Sequence, residues 1–153
     1  MRQWVLSVPY PLRFLFASQP QVMTKILGIV YRTISTYLHK KAGFTHKTAR
    51  SGAVTFIQRF GSALNLNIHF HMLFLDGVYV NDANKKKGQR FVCVRNHKRA
   101  EIVKLTHAII RCIARYLERS GLIERDVENI YLTGEGDNNE LIEHQKYSIN
   151  YRI

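Results

Sequence analysis

The chain has 153 residues, 46% of them hydrophobic, with a formal net charge of +12 and a pI of about 10.0. That length suits one domain, residues 1–153, with its own core, and the composition excludes a disordered chain. No apolar run approaches the ~18 residues that a membrane-spanning helix needs, and two cysteines without a C-x-x-C, Cys93 and Cys112, argue against a disulfide framework or a zinc ribbon and fit a cytoplasmic protein.

In chain order, "QWVLSVP" (3–9) predicts a short strand ended by proline. Pro9, Pro11 and Arg13 interrupt any signal-peptide core at the N-terminus. From Ser18 to Ala42 the apolar residues Met23, Ile26, Leu27, Val30, Ile34, Tyr37 and Leu38 keep a helical period. Ser18 suits the cap, Pro20 the first turn and Gly43 the stop. "GAVTFIQRF" (52–60) predicts a strand, "GSALN" a turn, and "LNIHFHMLFLDGVYV" one long partner strand, making a hairpin. A basic loop, "NDANKKKGQR" (81–90), leads to a short strand "FVCV" (91–94). Ile102 to Ser120 predicts a second amphipathic helix stopped by Gly121. "GEGDNNE" (134–140) is an acidic loop without P-loop or EF-hand spacing. "KYSINYRI" alternates like a strand, with Tyr147, Ile149, Tyr151 and Ile153 on one face. This order predicts an α+β fold: a mainly antiparallel sheet with helices on one face, as in split βαβ folds.

Charge is unevenly spread. Residues 1–75 hold nine Lys or Arg and no acid. Residues 77–123 add eleven bases against three acids, and seven of the eleven acids lie between Glu124 and Glu143. A surface this one-sided predicts a polyanionic partner, nucleic acid before an anionic membrane, because no lipidation motif is present. Lys104, His107, Arg111, Arg115 and Arg119 recur at i+3 or i+4 and form one stripe on the second helix, suited to a phosphate backbone or simply to solvent. The loops carrying Lys85, Lys86 and Lys87, and Arg95, Lys98 and Arg99, are further phosphate candidates. Trp4 and Tyr10 are candidates for base stacking, with core packing the competing role for Trp4.

His69 and His71 stand at i and i+2 in a strand-like stretch. They share a face about 6.5–7 Å apart, with Asn65 and Asn67, while Ile68, Phe70, Met72 and Phe74 take the opposite face. Two imidazoles at that spacing suit one metal ion, and a third ligand is needed. A hairpin turning around Ser62 to Leu64 brings Gln58 opposite His69; a one-residue slip removes it. Asp76 is the other candidate, although Asp-Gly also marks a turn. A bare H-x-H is otherwise a pair of hydrogen-bonded surface histidines.

His69-Phe70-His71 resembles the histidine–hydrophobic–histidine motif of the HUH endonucleases. Together with "RQWVLSVPYPLRF", "YLERSGLIERD", "SINYRI" and above all the 28 residues from Gly52 to Tyr79, the chain resembles the rolling-circle transposases of the insertion-sequence ninety-one group. The resemblance implies a nuclease that binds single-stranded or hairpin DNA at transposon ends. His69, His71 and Gln58 would hold Mg²⁺ or Mn²⁺, and a tyrosine hydroxyl would attack the scissile phosphate. Such relatives carry a zinc-binding segment upstream of the "RQWVLS" match and the nucleophilic tyrosine on a helix downstream of the "SINYRI" match, so the expectation is the middle of a longer transposase. Tyr147 and Tyr151 have the Y-x-x-x-Y spacing of the group's tyrosines, but their alternation speaks for a strand. Tyr116 and Tyr79 read as packing residues. Two competing functions are a non-catalytic nucleic-acid-binding module using the basic surface, and an unrelated metal-dependent hydrolase. The absence of H-E-x-x-H and of any acid before Asp76 opposes the latter.

Overall fold

The computed structural model describes residues 1–62, 64–81, 88–125 and 130–132. These residues form an α+β fold with antiparallel sheets and three helices. The elements run β1 (Arg2–Ser7), α1 (Tyr10–Ser18), α2 (Pro20–Lys41), β2 (Ala49–Arg50), β3 (Ala53–Phe60), β4 (Leu66–Phe74), β5 (Gly77–Asn81), β6 (Gln89–Cys93), α3 (Arg99–Arg119), β7 (Ile123–Arg125) and β8 (Ile130–Leu132). Among the described residues no helix is long and apolar enough to cross a membrane.

Strand β4 is the centre of the first sheet, ordered β1-β4-β3, with both neighbours antiparallel. Its period-2 pattern puts Ile68, Phe70, Met72 and Phe74 on one face, where all four are fully buried. The helices cover that face. Phe16 of α1 stacks on Phe70, with ring centroids 6.4 Å apart. Val30 and Ile34 of α2 and Leu105 and Ile109 of α3 meet Trp4, Leu6 and Met72 around one small cavity. All three helices therefore lie on one side of the β1-β4-β3 sheet, as the element order predicts.

Three local expectations need correction. The stretch 66–80 is two strands, because the chain breaks at Leu75-Asp76. Leu75 N–H donates to Gly52 O, Val94 N–H donates to Asp76 O, and β5 then joins a second sheet ordered β2-β5-β6. Gly77 permits this change of partner. A Cβ there would lie 2.2 Å from Val92 O, so only glycine fits beneath β6. Second, Ser18 caps no helix; it ends α1, an unforeseen helix with proline in its first turn, and its hydroxyl donates back to Phe14 O. Third, α3 starts at Arg99, with the Glu101 carboxylate accepting from Lys98 N–H at 2.8 Å. Gly43 and Gly121 stop α2 and α3 as expected, with φ of 81° and 64°. The strand predicted for "KYSINYRI" lies outside the described residues.

One polar network ties these parts together. Arg2 of β1 donates two hydrogen bonds to the Asp76 carboxylate, at 3.1 and 3.2 Å. Asp76 also meets His97 Nε2 at 3.4 Å, and Tyr37 of α2 meets His97 Nδ1 at 2.7 Å. Burial lowers the His97 pKa despite Asp76, so its ring is neutral at pH 7, taking the Tyr37 proton at Nδ1 and donating Nε2–H to Asp76. Burial raises the Asp76 pKa, but its hydrogen bonds to Arg2 and His97 outweigh burial and hold it low. Lys41 and Glu101 close the network as an ion pair between α2 and α3.

Candidate metal centre on the histidine strand

The face of β4 opposite the core carries the histidines. The β3–β4 register sets Gln58 against His69 and Phe56 against His71; the β1–β4 register sets Ser7 against His69 and Val5 against His71. Directly opposed residues share a face, so Ser7, Val5, His69, His71, Phe56 and Gln58 form one patch, without a covering helix among the described residues. The predicted hairpin register is thus the observed one. It is held by a turn in which Gly61 N–H donates to Asn65 O, and it shifts only beyond Gln58.

Each ring has a partner. Ser7 Oγ lies 2.8 Å from His69 Nδ1. With Nδ1–H donating to Ser7, the His69 Nε2 lone pair is free, the arrangement that ligating histidines use. Gln3 Nε2 lies 3.2 Å from His71 Nδ1, and His71 Nε2 lies 3.2 Å from Gln58 Oε1. Turning the Gln3 amide by 180° exchanges its donor and acceptor, and then His71 Nε2 also carries a lone pair. The two imidazole centroids are 6.2 Å apart.

The electrostatics favour a neutral ring at His69. Burial lowers the His69 pKa, and the neighbouring His71 and Arg13 lower it further. Arg13 of α1 is fixed here by hydrogen bonds to Val8 O and Leu66 O, at 3.1 and 3.2 Å. The patch therefore sets a neutral His69 beside a fixed positive charge.

These groups fit a divalent ion on two observations. Donors on one octahedral ion at ~2.1 Å stand about 3 Å apart, close to the 3.2 Å between His71 Nε2 and Gln58 Oε1. Asn67, two residues from His69 on the same strand face, keeps a buried Oδ1 with no hydrogen-bond partner among the described residues. No three His, Cys, Asp or Glu side chains converge among the described residues, so a third ligand to the histidines would be an amide or come from outside this set. Asp76 does not serve, since Arg2 and His97 hold its carboxylate.

The other candidates are dispersed. Arg111, Arg115 and Arg119 are exposed on α3 with Lys104 and His107, on the helix layer and therefore across the sheet from the histidines. Arg95, Lys98 and Arg99 are exposed where β6 leads into α3. Lys85, Lys86, Lys87, Tyr147 and Tyr151 lie outside the described residues. Trp4 is core, edge-on to Tyr37 and Phe74, whereas Tyr10 is exposed beneath the Arg13 guanidinium. Tyr79 packs on Phe91, and Tyr116 is partly buried against the core. The Tyr31 and Tyr37 hydroxyls bond to Ser51 O and to His97, away from the histidine patch. Sequence reasoning missed Ser7, Gln3 and Arg13. It also missed that Val54 and Phe56 stay 58% and 59% exposed, an apolar margin to the patch. Only the β1–β4 pairing and the seat of α1 reveal these, although Gln3, Val5 and Ser7 alternate with core residues as one strand face.

No curated protein and no solved structure matches the chain. The family model described as "Putative transposase" matches residues 52–150, which include β3, the hairpin and the whole H-x-H strand. The match spans well over half of the 153 residues, and the chain belongs to this transposase family.

Proposed function

We propose that this transposase acts on DNA as a metal-dependent nuclease and strand transferase of the HUH type, nicking single strands at transposon ends. The observation that carries the reading is the open histidine face: His69, His71 and Gln58 in register, with Gln58 Oε1 3.2 Å from His71 Nε2. His69, His71 and Gln58 would hold Mg²⁺ or Mn²⁺, which when bound polarises the scissile phosphate as a Lewis acid.

The chain's own residues prepare the site. Ser7 and Gln3 orient the two rings from β1. Arg13, fixed beside His69, attracts the phosphate, and no carboxylate in residues 1–75 opposes it. Phe56, exposed beside His71, offers a base a stacking surface. A tyrosine hydroxyl attacks phosphorus and loses its proton. A 5′-phosphotyrosine bond forms, the P–O3′ bond breaks, and the departing strand leaves with a 3′-hydroxyl; the bond energy is kept for rejoining. The resemblance puts that tyrosine on a helix downstream of the "SINYRI" match, with Tyr147 and Tyr151 the weaker candidates, and among the described tyrosines none is hydrogen-bonded to the patch.

The test is a labelled pool of single-stranded oligonucleotides bound to the protein with Mn²⁺ or with chelator and read by fluorescence anisotropy. The expected result is tighter binding with Mn²⁺, a gain that chelator and His69→Ala/His71→Ala both abolish. A Mn²⁺ gain that persists in the double variant, or none in the wild type, overturns the assignment of the histidines. A second reading, passive nucleic-acid binding, is favoured by one observation: the exposed bases on α3 lie away from the histidines. It predicts salt-sensitive binding with no metal requirement.

A further inference from the structure

On the far side of the sheet, α2 and α3 leave a groove of about 700 Å³ between them. Its floor includes Ile29, Leu105 and Ala108. Arg32 and Lys40 rise from α2 on one wall and Lys104 from α3 on the other, all three exposed. The one acid in the lining, Glu101, is taken by Lys41 and by Lys98 N–H. Among the described residues Arg32, Lys40 and Lys104 form no ion pair. Thr36 adds a hydroxyl between the two α2 cations. The groove is thus lined by three cations on two elements, unpaired among the described residues, together with apolar side chains.

The geometry points to this groove as a second DNA site, which grips the phosphate backbone on the face opposite the histidines. The occupant follows from charge. Three cations without a counter-charge among the described residues, in a chain of net charge +12, repel a second copy of this chain and attract a polyanion. Cations on both helix walls suit a backbone running between them, and the exposed Arg111 and Arg115 continue the positive charge along α3. The two faces then divide the work: the histidine face takes the strand to be cut, and the helical groove anchors DNA beyond it. This inference rests on the reading of the chain as a DNA-acting transposase, but not on its metal site.

Fluorescence anisotropy with a labelled DNA duplex, in chelator so that the histidine site is silent, tests it. Three proteins are compared: wild type, the groove variant Arg32→Ala/Lys40→Ala/Lys104→Ala, and a control with equal charge loss, Lys47→Ala/Arg50→Ala/Arg90→Ala. The expected result is about tenfold weaker binding for the groove variant alone, with its salt dependence shallower by roughly 2–3 in log–log slope, as for three lost phosphate contacts. Circular dichroism confirms the folds, which surface alanines leave intact. Equal affinities and slopes for the groove and control variants overturn the groove while leaving the transposase reading standing. Failure of the wild type to bind either duplex or single-stranded DNA overturns both.

Discussion

Ser7 and Gln3 show how much of the histidine patch depends on neighbours that are not ligands. A ligating imidazole is useful only when its second nitrogen is engaged, because that bond fixes the tautomer and the ring plane. Ser7 Oγ does this for His69 at 2.8 Å from β1, across the sheet. Replacing Ser7 by alanine removes the partner without touching a ligand. The expected outcome is a 10–100-fold loss of Mn²⁺ affinity with an unchanged fold, read by calorimetry and circular dichroism. Gln58→Glu is expected to act in the opposite direction, since a carboxylate replaces a neutral amide in a set that otherwise has no charge.

At the scale of elements, strand β4 separates stability from chemistry by its alternation. Phe70 is fully buried under Phe16, so Phe70→Ala should cost about 3–5 kcal/mol. His71 lies on the open face, and His71→Ala should change stability by less than about 0.5 kcal/mol. Urea unfolding of the two variants measures both. The same strand shows what was legible in the sequence. The H-x-H spacing and the Gln58–His69 register are local to one hairpin, and the alternating pattern with its short turn encodes them. The partners Ser7 and Gln3 are 62 and 68 residues from the histidines they orient, and no local pattern pairs them. The break between β4 and β5 had a local signal in the Asp76-Gly77 turn pair, but the change of sheet did not. Arg2, 74 residues away, holds the carboxylate, and β6 closes over the glycine. Helix α1 was missed because Pro9 and Pro11 read as interruptions, whereas proline in a first turn starts a helix.

For the molecule as a whole, the arrangement of charge and burial predicts a sensitivity to acid. His39, His69 and His97 all have pKa values lowered from 6.5, each chiefly by burial. Below that value the unfolded chain binds protons that the folded chain refuses. Stability is therefore complete above pH 6.5 and falls as the pH drops through the window beneath it. Asp76 and Glu101 act later in the same direction. The hydrogen bonds from Lys41 and Lys98 N–H hold Glu101 at about 2, so its contribution is lost only at still lower pH. Urea midpoints measured at pH 7.5, 6 and 5 should decline steadily, and a flat profile would remove the histidines from the account.

The sharpest measurement is a calorimetric titration of Mn²⁺ into the chain and into the His69→Ala/His71→Ala variant, with circular dichroism to establish that both are folded. The account predicts about one ion bound by the wild type, as one octahedral site requires, and none by the variant. A folded wild type that binds no ion, or a variant that binds as well as the wild type, contradicts the metal centre on the β4 face.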